Sequence, residues 1–144
     1  MIDPKEKISN HFTNKEALWL PQWNRMANEQ DGLNDDVLSS LKDLFSKMDL
    51  VREYFNAPIM VHVTYRPEEY NKLVKGAKNS AHKFGMACDF HVSKMACKDA
   101  IQKMLDDKKL EEWGMRCENN GDNPTWIHLD IRDVPPGGNR YFKP

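Results

Sequence analysis

The sequence predicts an α+β fold, a small, mostly antiparallel sheet with helices packed on it. Three observations point there. Apolar residues recur at three- and four-residue steps across 37–51. Short runs of strand character follow at 59–64, 86–92, 113–118 and 126–132. A second helical pattern, 95–110, lies among those runs. Helices first, then strands interleaved with helices, make this class.

Each element has a local cause. Residues 1–12 read as an irregular lead-in. Thr13 followed by Glu16 has capping-box spacing, so a short helix starts there, runs into Leu18 and stops near Pro21. A second short helix is predicted around Gln22–Glu29. The clearest helix comes next. Asn34 or Asp35 can cap it, and Val37, Leu38, Leu41, Leu44, Phe45, Met48 and Val51 form one apolar face. It should end near Phe55, before Asn56-Ala57-Pro58. Ile59 to Thr64 is short and rich in β-branched residues, hence a strand, ended by Arg66-Pro67. Glu68 to Val74 suits a short helix closed by Gly76. A second strand begins near Met86 and takes in Phe90, His91 and Val92. Met95 to Leu110 reads as a helix with Ala96, Ala100, Ile101, Met104 and Leu105 on one side. Trp113–Glu118 and Trp126–Arg132 read as strands around the turn Asn119-Asn-Gly-Asp-Asn-Pro124. The tail, Pro135 to Asn139, reads as loop.

The 144 residues are expected to form one domain, 1–144, with no linker inside it. With 40% hydrophobic and 30% charged residues, wholesale disorder is excluded. A net charge of −1 gives no electrostatic case for gripping a polyanion, so nucleic acid is not an expected partner. No stretch approaches the roughly 18 apolar residues of a membrane span, and residues 1–12 lack the apolar core of a secretory signal, so synthesis into the cytoplasm is expected. Cys88, Cys97 and Cys117 are odd in number and form no CxxC pair, which predicts buried thiols rather than a disulfide framework. A monomer is expected.

The segment Ser80-Ala-His82-Lys-Phe-Gly85-Met-Ala87-Cys-Asp89 is the most informative in the chain. A glycine between His82 and Asp89 lets the chain turn and bring both side chains to one point. A third ligand is available in Trp126-Ile-His128-Leu-Asp130. Two nitrogens and one carboxylate oxygen, with an open fourth position, suit a catalytic zinc that lowers the pKa of a bound water toward 7. By spacing alone, a buried hydrogen-bonded histidine is the competing account.

The string Ser80-x-His82-x-x-Gly85-x-Ala87-x-Asp89, followed by Trp126-x-His128-x-Asp130, resembles the signature of the zinc D-alanyl-D-alanine carboxypeptidases, the peptidoglycan peptidases that share the hedgehog fold. Thr64-Tyr-Arg66-Pro67, Tyr70-Asn71, Gly76-Ala77 and Asn79-Ser80 resemble that family's run-in to its first ligand. Asn10-His-Phe12-Thr13 and Phe55-x-x-Pro58 resemble its short cell-wall-lytic and phage members. The resemblance covers roughly residues 8–133. It implies a hedgehog/DD-peptidase-like fold, zinc held by His82, Asp89 and His128, Arg66 aimed at substrate and oxyanion, and Ser80 lining the substrate cleft. The departure lies before the last ligand. Family members often carry an acidic residue or histidine there as general base, whereas Thr125, Trp126 and Ile127 stand here. Glu118 is the chosen substitute, since a hairpin can lay it near His128; it also resembles a glutamate of some short phage members. Asp122 is expected to be solvated. Asp130 shares a strand face with His128 and stays open as base or as supporting carboxylate.

The remaining candidates take ordinary roles: His91, His62 and His11 structural, Trp126 core, and Cys88 pointing away from the metal by strand alternation. The resemblance thus implies a zinc peptidase acting on the peptidoglycan stem peptide, an endolysin that reaches the wall through a separately made hole or is carried in the virion. A catalytically inactive module of the same fold and a cytoplasmic D-Ala-D-Ala dipeptidase are the alternatives.

Overall fold

The computed structural model describes residues 2–144. Its largest sheet has five strands, in the spatial order β3 (Ile59–Val63), β4 (Ala87–Val92), β6 (Ile127–Asp130), β5 (Arg116–Glu118) and β7 (Tyr141–Phe142), antiparallel except where β5 meets β7. The α+β architecture and mostly antiparallel sheet are those expected from the sequence.

α1 (Asn14–Leu18) carries the expected reciprocal bonds between Thr13 and Glu16. A helix at 22–29 does not form. Instead β1 (Trp19–Leu20) and β2 (Arg25–Met26) pair as a small antiparallel hairpin, and a 3₁₀ turn occupies Glu29–Asp31. The physical reason is the turn between the strands. The N–H of Trp23 bonds the Leu20 carbonyl, that of Asn24 bonds the Pro21 carbonyl, and Asn24 adopts φ 50°, a conformation asparagine tolerates better than most residues.

α2 (Asp35–Phe55) is the central helix. Asn34 caps it, its side chain accepting from the Val37 N–H at 2.9 Å, and Asn56 ends it in the left-handed region. Val37, Leu41, Leu44, Phe45, Met48, Val51 and Phe55 are buried along one stripe that packs on the sheet. The same helix carries a buried carboxylate. Asp49 accepts from Ser9 Oγ and from the Asn10 and His11 N–H groups at 2.9–3.0 Å, which pins the lead-in segment to the core.

β3 (Ile59–Val63) pairs with β4 (Ala87–Val92), with a bulge at His62. Between them lie α3 (Glu68–Leu73) and a 3₁₀ turn, Ala81–Phe84. The predicted helix at 95–110 is two helices, α4 (Cys97–Asp106) and α5 (Lys109–Trp113). Lys108 turns left-handed at φ 54° and breaks the run. Trp113, expected to open a strand, closes α5, and left-handed Gly114 redirects the chain into β5 (Arg116–Glu118). β6 (Ile127–Asp130) follows the turn, and β7 (Tyr141–Phe142) adds an unforeseen edge strand from the tail. No helix among the described residues is long and apolar enough to cross a membrane.

Candidate metal centre

β4 and β6 set the site. In their antiparallel register Asp89 stands opposite His128, and Ala87 stands opposite Asp130. Cys88/Leu129 and Phe90/Ile127 are the alternate pairs, and all four belong to the apolar core. One face of the strand pair is therefore apolar and the other carries the chemistry.

His82 reaches that polar face from the 3₁₀ turn. Ser80 caps the turn, its Oγ accepting the His82 N–H at 3.2 Å. Gly85 ends it at φ 72°, where a Cβ would also sit 3.0 Å from the Val37 carbonyl oxygen and from Leu41 of α2. Only glycine serves there, so the turn packs tightly on α2 before the chain enters β4. The Arg66 N–H bonds the His82 carbonyl at 2.9 Å, which ties the end of β3 to the same turn.

His82, Asp89 and His128 are 2, 8 and 6% exposed, and one ligand atom from each lies within 4.8 Å of the others. The orientation of the rings is the decisive feature. His82 Nδ1 lies 2.7 Å from the Thr64 carbonyl oxygen, which can only accept, so Nδ1 carries the proton and Nε2 presents a lone pair. His128 Nε2 lies 2.9 Å from Asp130 Oδ2 and likewise donates, leaving the Nδ1 lone pair. Both lone pairs face Asp89 Oδ1, each at 3.0 Å. Three acceptors aimed at one buried point repel unless a cation sits among them. Donors around a tetrahedral ion bonded at about 2.0–2.1 Å stand roughly 3.3 Å apart, close to this spacing. The backing of each histidine by an oxygen acceptor is the usual second layer of a metal site. The residues fit a zinc-type ion.

The electrostatics agree. Burial raises the Asp89 carboxyl, but the two imidazoles outweigh it and hold it below the ordinary carboxylate range. Burial lowers His128, yet Asp130 and Asp89 raise it to about 9, so in the absence of a metal a proton takes the cation's place. Asp130 itself is 1% exposed and held by Arg116, whose Nε and Nη2 donate to Oδ1 and Oδ2 at 2.8 and 3.0 Å. That fork, with His128, keeps Asp130 ionised despite its burial.

The cluster floors an open cleft of about 330 Å³. Arg66 reaches it with Nη2 3.3 Å from Asp89 Oδ2 and Nη1 3.5 Å from the Asn71 amide oxygen. Asn71 is fixed in turn by the Ala77 carbonyl at 2.9 Å. Glu118 lines the cleft with Oε2 3.5 Å from His128 Nδ1, and Ser80 lines it as well. Asp122 lies away from this cleft, in a different surface depression beside α4.

The structure thus brings together every candidate singled out for the site: His82, Asp89, His128, Arg66, Ser80, Glu118 and Asp130. Trp126 is a correction. It is not core but 37% exposed on the cleft rim, because it precedes β6 and escapes the sheet's alternation. His62 and His91 bond each other, Nε2 to Nδ1 at 2.6 Å, across the bulge of β3. Arg116 was missed. Its signal was available, since it lies two residues before Glu118 on one strand and so shares its face. Phe142 was missed too, and no local pattern reveals it. It reaches the cleft only through the β5–β7 pairing, with its ring 4.2 Å from the Arg116 guanidinium. Cys88 and Cys117 belong to the apolar core and not to the donor cluster, and burial pushes their thiols up, that of Cys117 to about 12.

Two histidines and a carboxylate, buried but open to a cleft on one side, define a metal-dependent hydrolytic centre in chemical class. Residues 10–130 match the family model described as Peptidase M15, and the chain belongs to that family. Membership implies a zinc metallopeptidase. No curated protein and no solved structure matches the chain.

Proposed function

We propose that the protein hydrolyses a peptide bond in the peptidoglycan stem peptide, with zinc held by His82, Asp89 and His128. The observation that carries this reading is an ionisable carboxylate, Glu118, placed beside the three converging donors. The acid absent just before His128 is thereby supplied from the neighbouring strand, which supports an enzyme over an inactive module.

When bound, zinc supplies Lewis acidity and a water that ionises near neutral pH. The rest is work for the chain. Glu118 accepts a proton from the attacking water and returns it to the leaving amine. Arg66, braced by Asp89 and Asn71, directs its guanidinium at the carbonyl oxygen where negative charge develops. Of the two roles open to Asp130, its bonds favour the supporting one. Both oxygens are taken by Arg116, and Oδ2 also fixes the tautomer of His128. Ser80 holds the His82 turn and presents its wall to the substrate. The setting, a phage-type lysin released through a separately made hole or carried in the virion, rests on the likeness to short phage members.

The test is digestion of purified peptidoglycan, with mass spectrometry of the released muropeptides. The zinc-loaded protein should yield new free termini at one stem-peptide bond, and chelator should abolish them. Glu118→Gln should retain metal and fold while kcat falls by roughly 10²- to 10⁴-fold. Intact muropeptides from a folded, zinc-loaded protein would refute the reading.

A further inference from the structure

We propose that Arg132 anchors a carboxylate of the substrate, so that the protein selects peptides bearing a free carboxylate near the bond it cuts. The inference rests on the peptidase reading and deepens it. Three guanidiniums line the cleft, those of Arg66, Arg116 and Arg132. Two are committed to the metal centre's own acids, Arg66 to Asp89 and Arg116 to Asp130. Arg132 has no carboxylate partner among the described residues, yet it is held in place. Its Nη1 donates to the Asn79 carbonyl at 2.8 Å, and its guanidinium carbon lies 5.6 Å from the centre of the Phe84 ring. Its backbone N–H donates to Asp130 Oδ1 at 3.2 Å, which fixes the root of the side chain to the metal centre. Nε and Nη2 keep their hydrogens without a protein acceptor. Ordering a long side chain costs conformational entropy, and a fixed fork with spare donors is prepared for a planar anion.

Charge balance points the same way. The acidic side chains lining the cleft, Asp89, Glu118 and Asp130, equal the arginines in number. A divalent cation among His82, Asp89 and His128 therefore leaves the cleft net positive, which favours an anionic substrate.

The carboxylate has two possible carriers, the C-terminus of the peptide or an acidic group within it. Three stem-peptide substrates separate them: the free acid, the C-terminal amide, and the form amidated on its internal carboxyl. With zinc-loaded full-length protein, one of the two amidations should raise KM by roughly tenfold to a hundredfold while kcat changes little. The amide that is penalised names the carrier. In Arg132→Gln the ratio of kcat/KM between acid and amide should fall toward one, and Arg132→Lys should restore part of it. Circular dichroism and bound-zinc content check that each variant is folded, and the wild-type preference stands as a test even if neither variant folds. Equal KM for all three substrates, or undiminished preference in Arg132→Gln, overturns the proposal. Should none of the peptides be cut, the peptidase reading fails by itself. Calorimetric Kd values for the same peptides then decide about Arg132: wild type should prefer the acid and Arg132→Gln should not, and equal Kd values overturn the anchor.

Discussion

The two faces of the β4–β6 strand pair are built from alternate residues of the same ten positions, and they obey different rules. On one face Cys88, Phe90, Ile127 and Leu129 bury apolar surface against the helices. On the other, Asp89, His128 and Asp130 bury polar atoms that must each find a partner. The apolar face gains its stability from area and volume, so what matters there is how well space is filled. The polar face depends on single atoms at fixed distances, because an unpaired buried charge is costly. One small element thus carries both the core's stability and the site's chemistry, separated by nothing more than the pleat.

The largest expected effect lies on the polar face. His82→Ala should reduce bound zinc from about one ion per chain to near none, read by mass spectrometry of the dialysed protein, since two remaining donors hold the ion poorly. Retained stoichiometric zinc would mean that the donors act less as a unit than the geometry implies. Next comes the apolar face. Phe90 is fully buried, and Phe90→Ala should cost about 3–5 kcal/mol in denaturant unfolding of the metal-free protein. Zinc stoichiometry of the fraction that stays folded should be unchanged. Loss of zinc from a folded Phe90→Ala protein would break the separation of the faces.

Asp130→Asn should weaken zinc binding by about 10- to 100-fold, measured by chelator competition, because the His128 tautomer and ring orientation lose their support. Its contrast with Glu118→Gln, which should leave zinc affinity nearly unchanged, distinguishes an orienting acid from a proton carrier.

The smallest effect is in protons. His128 is raised from its ordinary 6.5 to about 9 in the metal-free site, so at pH 7 zinc must displace its proton. Calorimetry in buffers of different ionisation enthalpy should report about one proton released per ion at pH 7 and fewer as the pH passes 9. The metal-free protein should follow the matching trend in stability. A histidine with a raised folded value stabilises fully below about 6.5 and loses that contribution as pH rises through about 9, so Tm should fall across that interval.

Legibility of the chain followed the range of the interaction. The Thr13–Glu16 cap, the α2 stripe and the runs that became β3 and β4 depend on neighbours within a few residues, and each formed where expected. Two of the errors fell where a backbone turn had no glycine to announce it. Asn24 and Lys108 both take positive φ, one creating a hairpin in place of a helix and the other dividing α4 from α5. The site was legible as a set of residue types at suggestive intervals, but not as an arrangement. Thr64 acts through its carbonyl, which any residue would supply, and Phe142 enters through a parallel pairing with β5.

The sequence by itself determined the residue chemistry, an imidazole and a carboxylate flanking a glycine-closed turn with a second imidazole on a later strand, together with the alternation that puts Asp89 and His128 opposite the core. The tertiary structure decided which ring nitrogen faces the ion, that Asp130 is tied to Arg116, and that Glu118 and Arg132 reach the same cleft. The reason is physical. Alternation and capping are encoded by covalent neighbours, whereas a tautomer and an ion pair are fixed by strands distant in the chain, whose register appears only once the sheet has closed.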